Sequence, residues 1–116
     1  MLAMDKNQRF RVVLKSDEGR EKPPTFVFRY LTAREFAQAA QLAEKISTAS
    51  DNLEALQIEA EIINAGLVCV ENAPEGFDRE NLADFLTVGE MAELMEKFQR
   101  QGIGAAELKN SESPAA

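Results

Sequence analysis

The stretch DNLEALQIEAEIINAGLVCV, residues 51–70, decides the fold that this sequence predicts. Its apolar residues recur at spacings of three and four, so a helix would place them on one face: Leu53, Leu56, Ala60, Ile63, Leu67 and Val70. Polar residues such as Glu54, Glu61 and Asn64 would occupy the opposite face. The pattern predicts one continuous core helix over residues 51–70, with Asp51 as its N-cap.

Length and charge limit what can pack around that helix. The chain has 116 residues, enough for one core, and we predict a single globular domain over residues 1–102 followed by a disordered tail over residues 103–116. The chain has 13 basic and 20 acidic residues and no histidine, so its net charge is −7. This balance disfavours nucleic-acid binding, which depends on cations at phosphates.

Compartment follows from cysteine usage and hydropathy. Cys69 is the single cysteine, so an internal disulfide is excluded. No apolar run approaches the roughly 20 residues that a membrane span requires, and residues 1–6 lack the apolar core of a signal peptide. These features predict a cytoplasmic protein without a membrane partner.

Two segments before the helix alternate apolar and polar residues with the period of a strand. Residues 8–15 place Phe10 and Val12 on one face, and residues 25–30 place Phe26 and Phe28 on one face. A polar loop that ends in two prolines separates them. We predict an antiparallel hairpin whose aromatic face packs on helices, because an isolated hairpin is only marginally stable in water.

Helix starts are marked by capping residues. Thr32 with Glu35, and Thr87 with Glu90, have the spacing of a capping box, and Asp78 precedes a further short helix. Gly102 is the predicted end of the last helix. The sequence therefore predicts an α+β fold that is mostly helical, with an N-terminal antiparallel β-hairpin packed on three to four helices. The predicted core contains Phe10, Phe26, Phe28, Phe36, Ile63, Leu67 and Phe98.

Residues with reactive or metal-binding side chains form no recognisable catalytic constellation. Glu90, Glu93 and Glu96 recur three apart on one helix, but a solvated helix face is favoured over a metal site because no further ligands are placed to complete one. Cys69 lies in an apolar run and is predicted to be a buried core residue. We predict no catalytic residue, no cofactor site and no metal site.

An apolar stripe on the last helix has two readings. It consists of Met91, Leu94, Met95 and Phe98. Such a stripe is typical of a core face, which is favoured here, and it is also typical of an adaptable surface that receives a partner's helix. The two uses do not exclude each other, so these four residues are the predicted partner-binding site.

Three segments in this order resemble the small tail assembly chaperones of long-tailed bacteriophages. They are the strand TFVFRYL at 25–31, the capped helix TAREFAQAAQLAEKI at 32–46, and GLVCVENAPEGFDRENLADFLTVGEMAELMEKF at 66–98. In that family an apolar segment that starts with glycine and ends in an acidic residue precedes a loop, a short helix and a last helix. Residues 66–71, 78–86 and 87–98 follow the same order.

The resemblance implies a non-enzymatic role in the host cytoplasm. Members of the family bind the tape measure protein and tail tube protein during tail assembly and are not part of the mature virion. Two alternatives stay open from the sequence: a phage structural subunit such as a head–tail connector, and a small bacterial regulatory binding subunit. Formation of a homo-oligomer also stays open.

The family is commonly made in two forms through a ribosomal frameshift near the end of the short one. Lys109 and Asn110 can be encoded by a run of adenines on which a ribosome slips. An ordinary frayed tail is nevertheless the favoured reading of this segment.

Overall fold

The computed structural model describes residues 1–102, which form three strands, three α-helices and two short 3-10 helices. The elements are β1 (Arg9–Val12), a first 3-10 helix (Lys15–Asp17), β2 (Thr25–Arg29), α1 (Ala33–Ile46), α2 (Asn52–Gly66), β3 (Leu67–Glu71), a second 3-10 helix (Arg79–Asp84) and α3 (Val88–Gly102). The predicted α+β, mostly helical fold is confirmed. The predictions for residues 103–116, a disordered tail and a recoding site at Lys109 and Asn110, lie outside the described residues.

The sheet has the order β1-β2-β3 and is antiparallel throughout. Phe10 pairs with Phe28 across β1 and β2, and Phe26 pairs with Val70 across β2 and β3. Residues opposite each other in an antiparallel pair share a face, so these side chains all lie on the inner face of the sheet. The predicted hairpin is confirmed, and a third strand extends it.

The prediction of one helix over residues 51–70 is wrong at its end. The helix stops at Gly66, and the chain turns directly into β3. Glycine is a poor helix former, and the β-branched Val68 and Val70 suit a strand once β2 offers a free edge for pairing. The three-residue spacing of Leu67 and Val70 therefore indicated a helix where sheet pairing produces a strand.

Packing around α2 also differs from the single predicted stripe. This helix contacts α1, α3 and the second 3-10 helix, and both Ile62 and Ile63 are fully buried. Leu53, which the stripe included, is 64% exposed in the first turn, where it lines a surface cavity together with residues of the second 3-10 helix. A helix with neighbours on several sides buries more than one face, so no single stripe describes it.

The core is a stack of aromatic rings beneath the sheet. Phe28 stacks on Phe98 of α3 at 4.6 Å between ring centroids and on Phe10 at 5.4 Å. Phe98 lies directly against the backbone of Gly66, where any Cβ would collide with the ring. The predicted core is confirmed, with Phe36 half-buried at its margin.

Both predicted capping boxes are confirmed. The Thr32 hydroxyl accepts a hydrogen bond from the Glu35 N–H at 3.2 Å, and the Glu35 carboxylate accepts one from the Thr32 N–H at 3.0 Å. The Thr87 hydroxyl and the Glu90 N–H repeat the first bond at 3.1 Å. These caps satisfy N–H groups that a helix start leaves without partners, so they determine where α1 and α3 begin.

The connection from β3 to α3 is held against the sheet by Arg79. Its guanidinium donates hydrogen bonds to the carbonyls of Leu67, at 2.8 Å, and Val68, at 2.6 Å. Val68 is the extra residue of a bulge, because Leu67 pairs with Phe28 while Cys69 pairs with the preceding Val27.

Within residues 1–102, no helix is both long and apolar enough to cross a membrane.

Candidate partner-binding groove

An open groove lies between the segment that follows β1 and the segment that connects β3 to α3. Its volume is about 210 Å³. The apolar floor and the polar rim together consist of Leu14, Asp17, Arg20, Pro24, Phe26, Val70, Pro74, Phe77, Phe85, Leu86 and Glu90. We call this surface the aromatic groove, because three phenylalanines are among the residues that line it.

The three phenylalanines come from different parts of the chain. Phe26 projects from β2, and the turn after β3 brings Phe77 to an edge contact with it at 6.4 Å between centroids. Asn72, with φ of 57°, and Gly76, with φ of 83°, allow that turn to reverse the chain. Phe85 then tilts against Phe77 at 5.0 Å and remains 43% exposed. The groove therefore leaves part of an aromatic ring in water.

Glu90 carries a charge at the rim that no cation balances among residues 1–102. Its carboxylate accepts hydrogen bonds from the Thr87 N–H, at 2.9 Å, and from the Ser16 hydroxyl, at 2.9 Å. The backbone bond from Thr87, followed by the bond from Ser16, lowers the pKa of Glu90 below its ordinary value, so the group is ionised at neutral pH. Asp17 and Arg20 form a separate salt bridge at 3.1 Å.

The dimensions and lining of the groove suit a side chain from another protein better than a cofactor. Sites for small molecules usually enclose about 300–1,000 Å³, which is larger than this groove. Its polar groups are one ion pair, Asp17 with Arg20, and the carboxylate of Glu90. Apolar floors beneath a charged rim are typical of surfaces that anchor one or two side chains of a partner.

The structure places the predicted partner-binding stripe inside the domain. Met91, Leu94 and Phe98 are fully buried against the sheet and α2, while Met95 is half-buried at the edge of the core. The stripe therefore forms part of the core, which is the interpretation that the sequence favoured. Binding of a partner by these residues would require α3 to leave the core, and it stays a prediction.

The acidic row on α3 is divided among separate contacts. Glu93 forms a salt bridge with Lys97 at 2.8 Å and accepts a hydrogen bond from the Lys15 N–H at 2.8 Å. Glu96 pairs with Arg100 one turn further along the helix. Within the described part of the chain, no group of three or more acidic, cysteine or histidine residues is placed to hold a metal ion.

The prediction that Cys69 is buried is wrong. Its side chain is exposed on the outer face of β3, an edge strand of the sheet. Strand geometry turns successive side chains to opposite faces, so Val70 points inward toward Phe26 while Cys69 points outward. A salt bridge between Arg11 and Glu71, at 3.2 Å, lies on the same outer face.

Comparisons with protein-family models, with curated proteins and with solved structures find no match to this chain. No pattern in the sequence marked Phe77 and Phe85 as a site. Phe85 follows Leu82 at helical spacing within the predicted short helix, so the pattern did not distinguish it from a residue of a core face.

Proposed function

We propose that this protein is a non-enzymatic tail assembly chaperone of a long-tailed bacteriophage. In this role it binds the tape measure protein and the tail tube protein in the host cytoplasm and is not part of the mature virion. The resemblance over residues 25–98 supports the family, and the aromatic groove is the observation that supports a binding role. The proposal requires no catalytic residue.

The groove and the net charge suit two parts of such a task. A chaperone of assembly must cover apolar surface on its client and later release it, which favours a small contact over an extensive one. A groove of about 210 Å³ with Phe85 43% exposed offers such a limited apolar contact. The net charge of −7 then keeps the complex dispersed through electrostatic repulsion.

The proposal is tested by co-purification of the full chain with proteins encoded beside its gene. A tape measure protein is recognised as a very long helical chain, and the tube protein as its neighbour. We expect both to be retained by the tagged chain and Phe85→Asp to lose them. Leu53→Asp is the matched control, because Leu53 is also exposed, at 64%, but lies outside the groove.

Two results would contradict the proposal. Retention of neither protein by the wild-type chain removes the chaperone role. Detection of this chain in purified virions, in a fixed ratio to tail or head proteins, assigns it instead to the structural subunits, such as head–tail connectors.

A further inference from the structure

We infer that the aromatic groove recognises a cationic amphipathic helix, with an apolar side chain seated on Phe77 and Phe85 and an Arg or Lys about one turn away that meets Glu90. This inference rests on the proposed function and specifies the chemistry of the client segment. It is carried by the geometry of the floor and the charge of the rim.

The floor selects an apolar anchor. Phe77 and Phe85 lie 5.0 Å apart between centroids, and part of Phe85 is open to water. Covering that ring with an aliphatic or aromatic side chain removes apolar surface from water, which is favourable. Only one or two side chains fit a volume of about 210 Å³, so the rest of the partner must lie across the rim.

The rim selects a cation. Glu90 is held ionised by hydrogen bonds from Thr87 and Ser16, and it forms no salt bridge within residues 1–102. A carboxylate has room for about four hydrogen bonds, so two protein donors leave acceptor positions free. Among residues 1–102, Arg20 is the one cation in the lining, and it is paired with Asp17. The unbalanced charge at the groove is therefore negative.

A helix can present the apolar anchor and the cation at a suitable spacing. Side chains three or four positions apart on a helix lie about 5–6 Å apart on one face. We expect an Arg or Lys at that spacing from the anchor to meet Glu90 and to lay its methylene stem over the phenylalanine rings, where a cation–π contact adds to the ion pair. The overall charge of −7 attracts such a segment from a distance.

The test uses the full chain and two synthetic 18-residue helical peptides. Both carry one Trp as the anchor on an Ala-rich helix, and they differ only in the residue four positions after it, which is Arg in one and Glu in the other. The chain contains no Trp, so the emission of the peptide reports binding without background from the protein. Dissociation constants are measured from the blue shift at low salt.

We expect the Arg peptide to bind about five- to tenfold more tightly than the Glu peptide, the range of an exposed ion pair with a cation–π contact. Glu90→Gln should remove most of that difference. This variant keeps the capping box, since Gln also serves at its third position. Phe85→Ala should weaken both peptides, whereas Leu53→Ala should change neither.

The inference is overturned by equal affinities for the two peptides, or by a preference for Arg that survives Glu90→Gln. It is also overturned if the full chain forms a dimer that Phe85→Ala dissociates, because the groove then holds a second copy. Co-purification of tape measure protein with both wild type and Glu90→Gln, at equal yield, leaves the proposed function intact and removes only this inference. If the peptides bind as expected but no phage protein is retained in the co-purification, the inference about the groove is supported and the proposed function is removed.

Discussion

Phe28 and Phe26 lie two positions apart on the same face of β2, and both are buried, yet their surroundings differ. Phe28 is enclosed by Phe98, whose ring centroid is 4.6 Å away and whose edge lies against the backbone of Gly66. Phe26 meets Phe77 only at 6.4 Å, beside a groove of about 210 Å³. We call these the closed end and the open end of the core. The closed end holds the fold together, and the open end leaves apolar surface exposed to water.

The two capping boxes follow the same division. At the closed end, the guanidinium of Arg29 donates hydrogen bonds to Glu35, at 2.8 and 3.0 Å, and to the Ala65 carbonyl at 2.8 Å. It therefore joins the start of α1 to the end of α2. At the open end, Glu90 has a serine hydroxyl in the corresponding place and no cation among the described residues. The capping box of α1 therefore helps to join two helices at the closed end, whereas the capping box of α3 leaves a charged carboxylate at the rim of the groove.

The largest expected effect comes from emptying the closed end. Phe98→Ala removes a fully buried ring and leaves a cavity beside Phe28, so the free energy of unfolding should fall by about 3–5 kcal/mol. Urea unfolding followed by circular dichroism measures this change. A loss below about 1 kcal/mol would mean that the closed end does not dominate stability.

A smaller loss of stability is expected from overpacking the closed end. Gly66→Ala would place a Cβ 2.6 Å from Cζ of Phe98 and closer still to its Cε1, so the ring or the helix must shift. Overpacking of this kind costs about 1–3 kcal/mol, although Ala is the better helix former. Thermal unfolding of Gly66→Ala and Gly89→Ala gives a matched pair. Gly89 lies in α3 with nothing within 4 Å of an added Cβ, so its replacement should be neutral or stabilising.

The next effect is on the pH dependence of stability. Hydrogen bonds from Arg29, and then from the Thr32 backbone, lower the pKa of Glu35 from its ordinary 4.5 to about 2. Because the folded pKa lies below the unfolded one, this contribution is complete above pH 4.5 and is lost as the pH falls toward about 2. Glu35→Gln should therefore flatten the acid side of the stability curve, with a loss of about 1 kcal/mol at pH 7.

Glu90→Gln is the matched control for that experiment, since it changes the other capping box. The pKa of Glu90 is also lowered, through Thr87 and then Ser16, but no cation contributes. Its acid-side slope should change less than that of Glu35→Gln. Equal slopes for the two variants, measured by urea unfolding between pH 2 and pH 7, would remove the distinction between the two capping boxes.

The smallest effect on stability is expected at the open end. Phe85→Ala removes a ring that is 43% exposed and is tilted against Phe77, so the free energy of unfolding should fall by no more than about 1 kcal/mol. Differential scanning calorimetry of this variant beside Phe98→Ala compares the two ends directly. A loss of 3 kcal/mol or more would show that Phe85 is part of the core.

Local patterns predicted the elements well where the interaction that forms them is local. The two capping boxes join residues three apart, and the alternation around Phe10 and Phe28 reports a strand face, so both were visible in the sequence. The site was less visible. Phe26 is far in the chain from Phe77 and Phe85, and no short-range pattern connects β2 with that segment.

The sequence by itself determined the aromatic hairpin, the starts of α1 and α3 and the acidic character of the molecule, because propensity, capping and charge act over a few residues. Tertiary structure decided whether residues 67–71 became helix or strand. Those residues fit both periods, and the free edge of β2 together with Arg79 selects the strand. That choice turned Cys69 outward and Val70 toward the groove, because successive side chains of a strand point to opposite faces of the sheet.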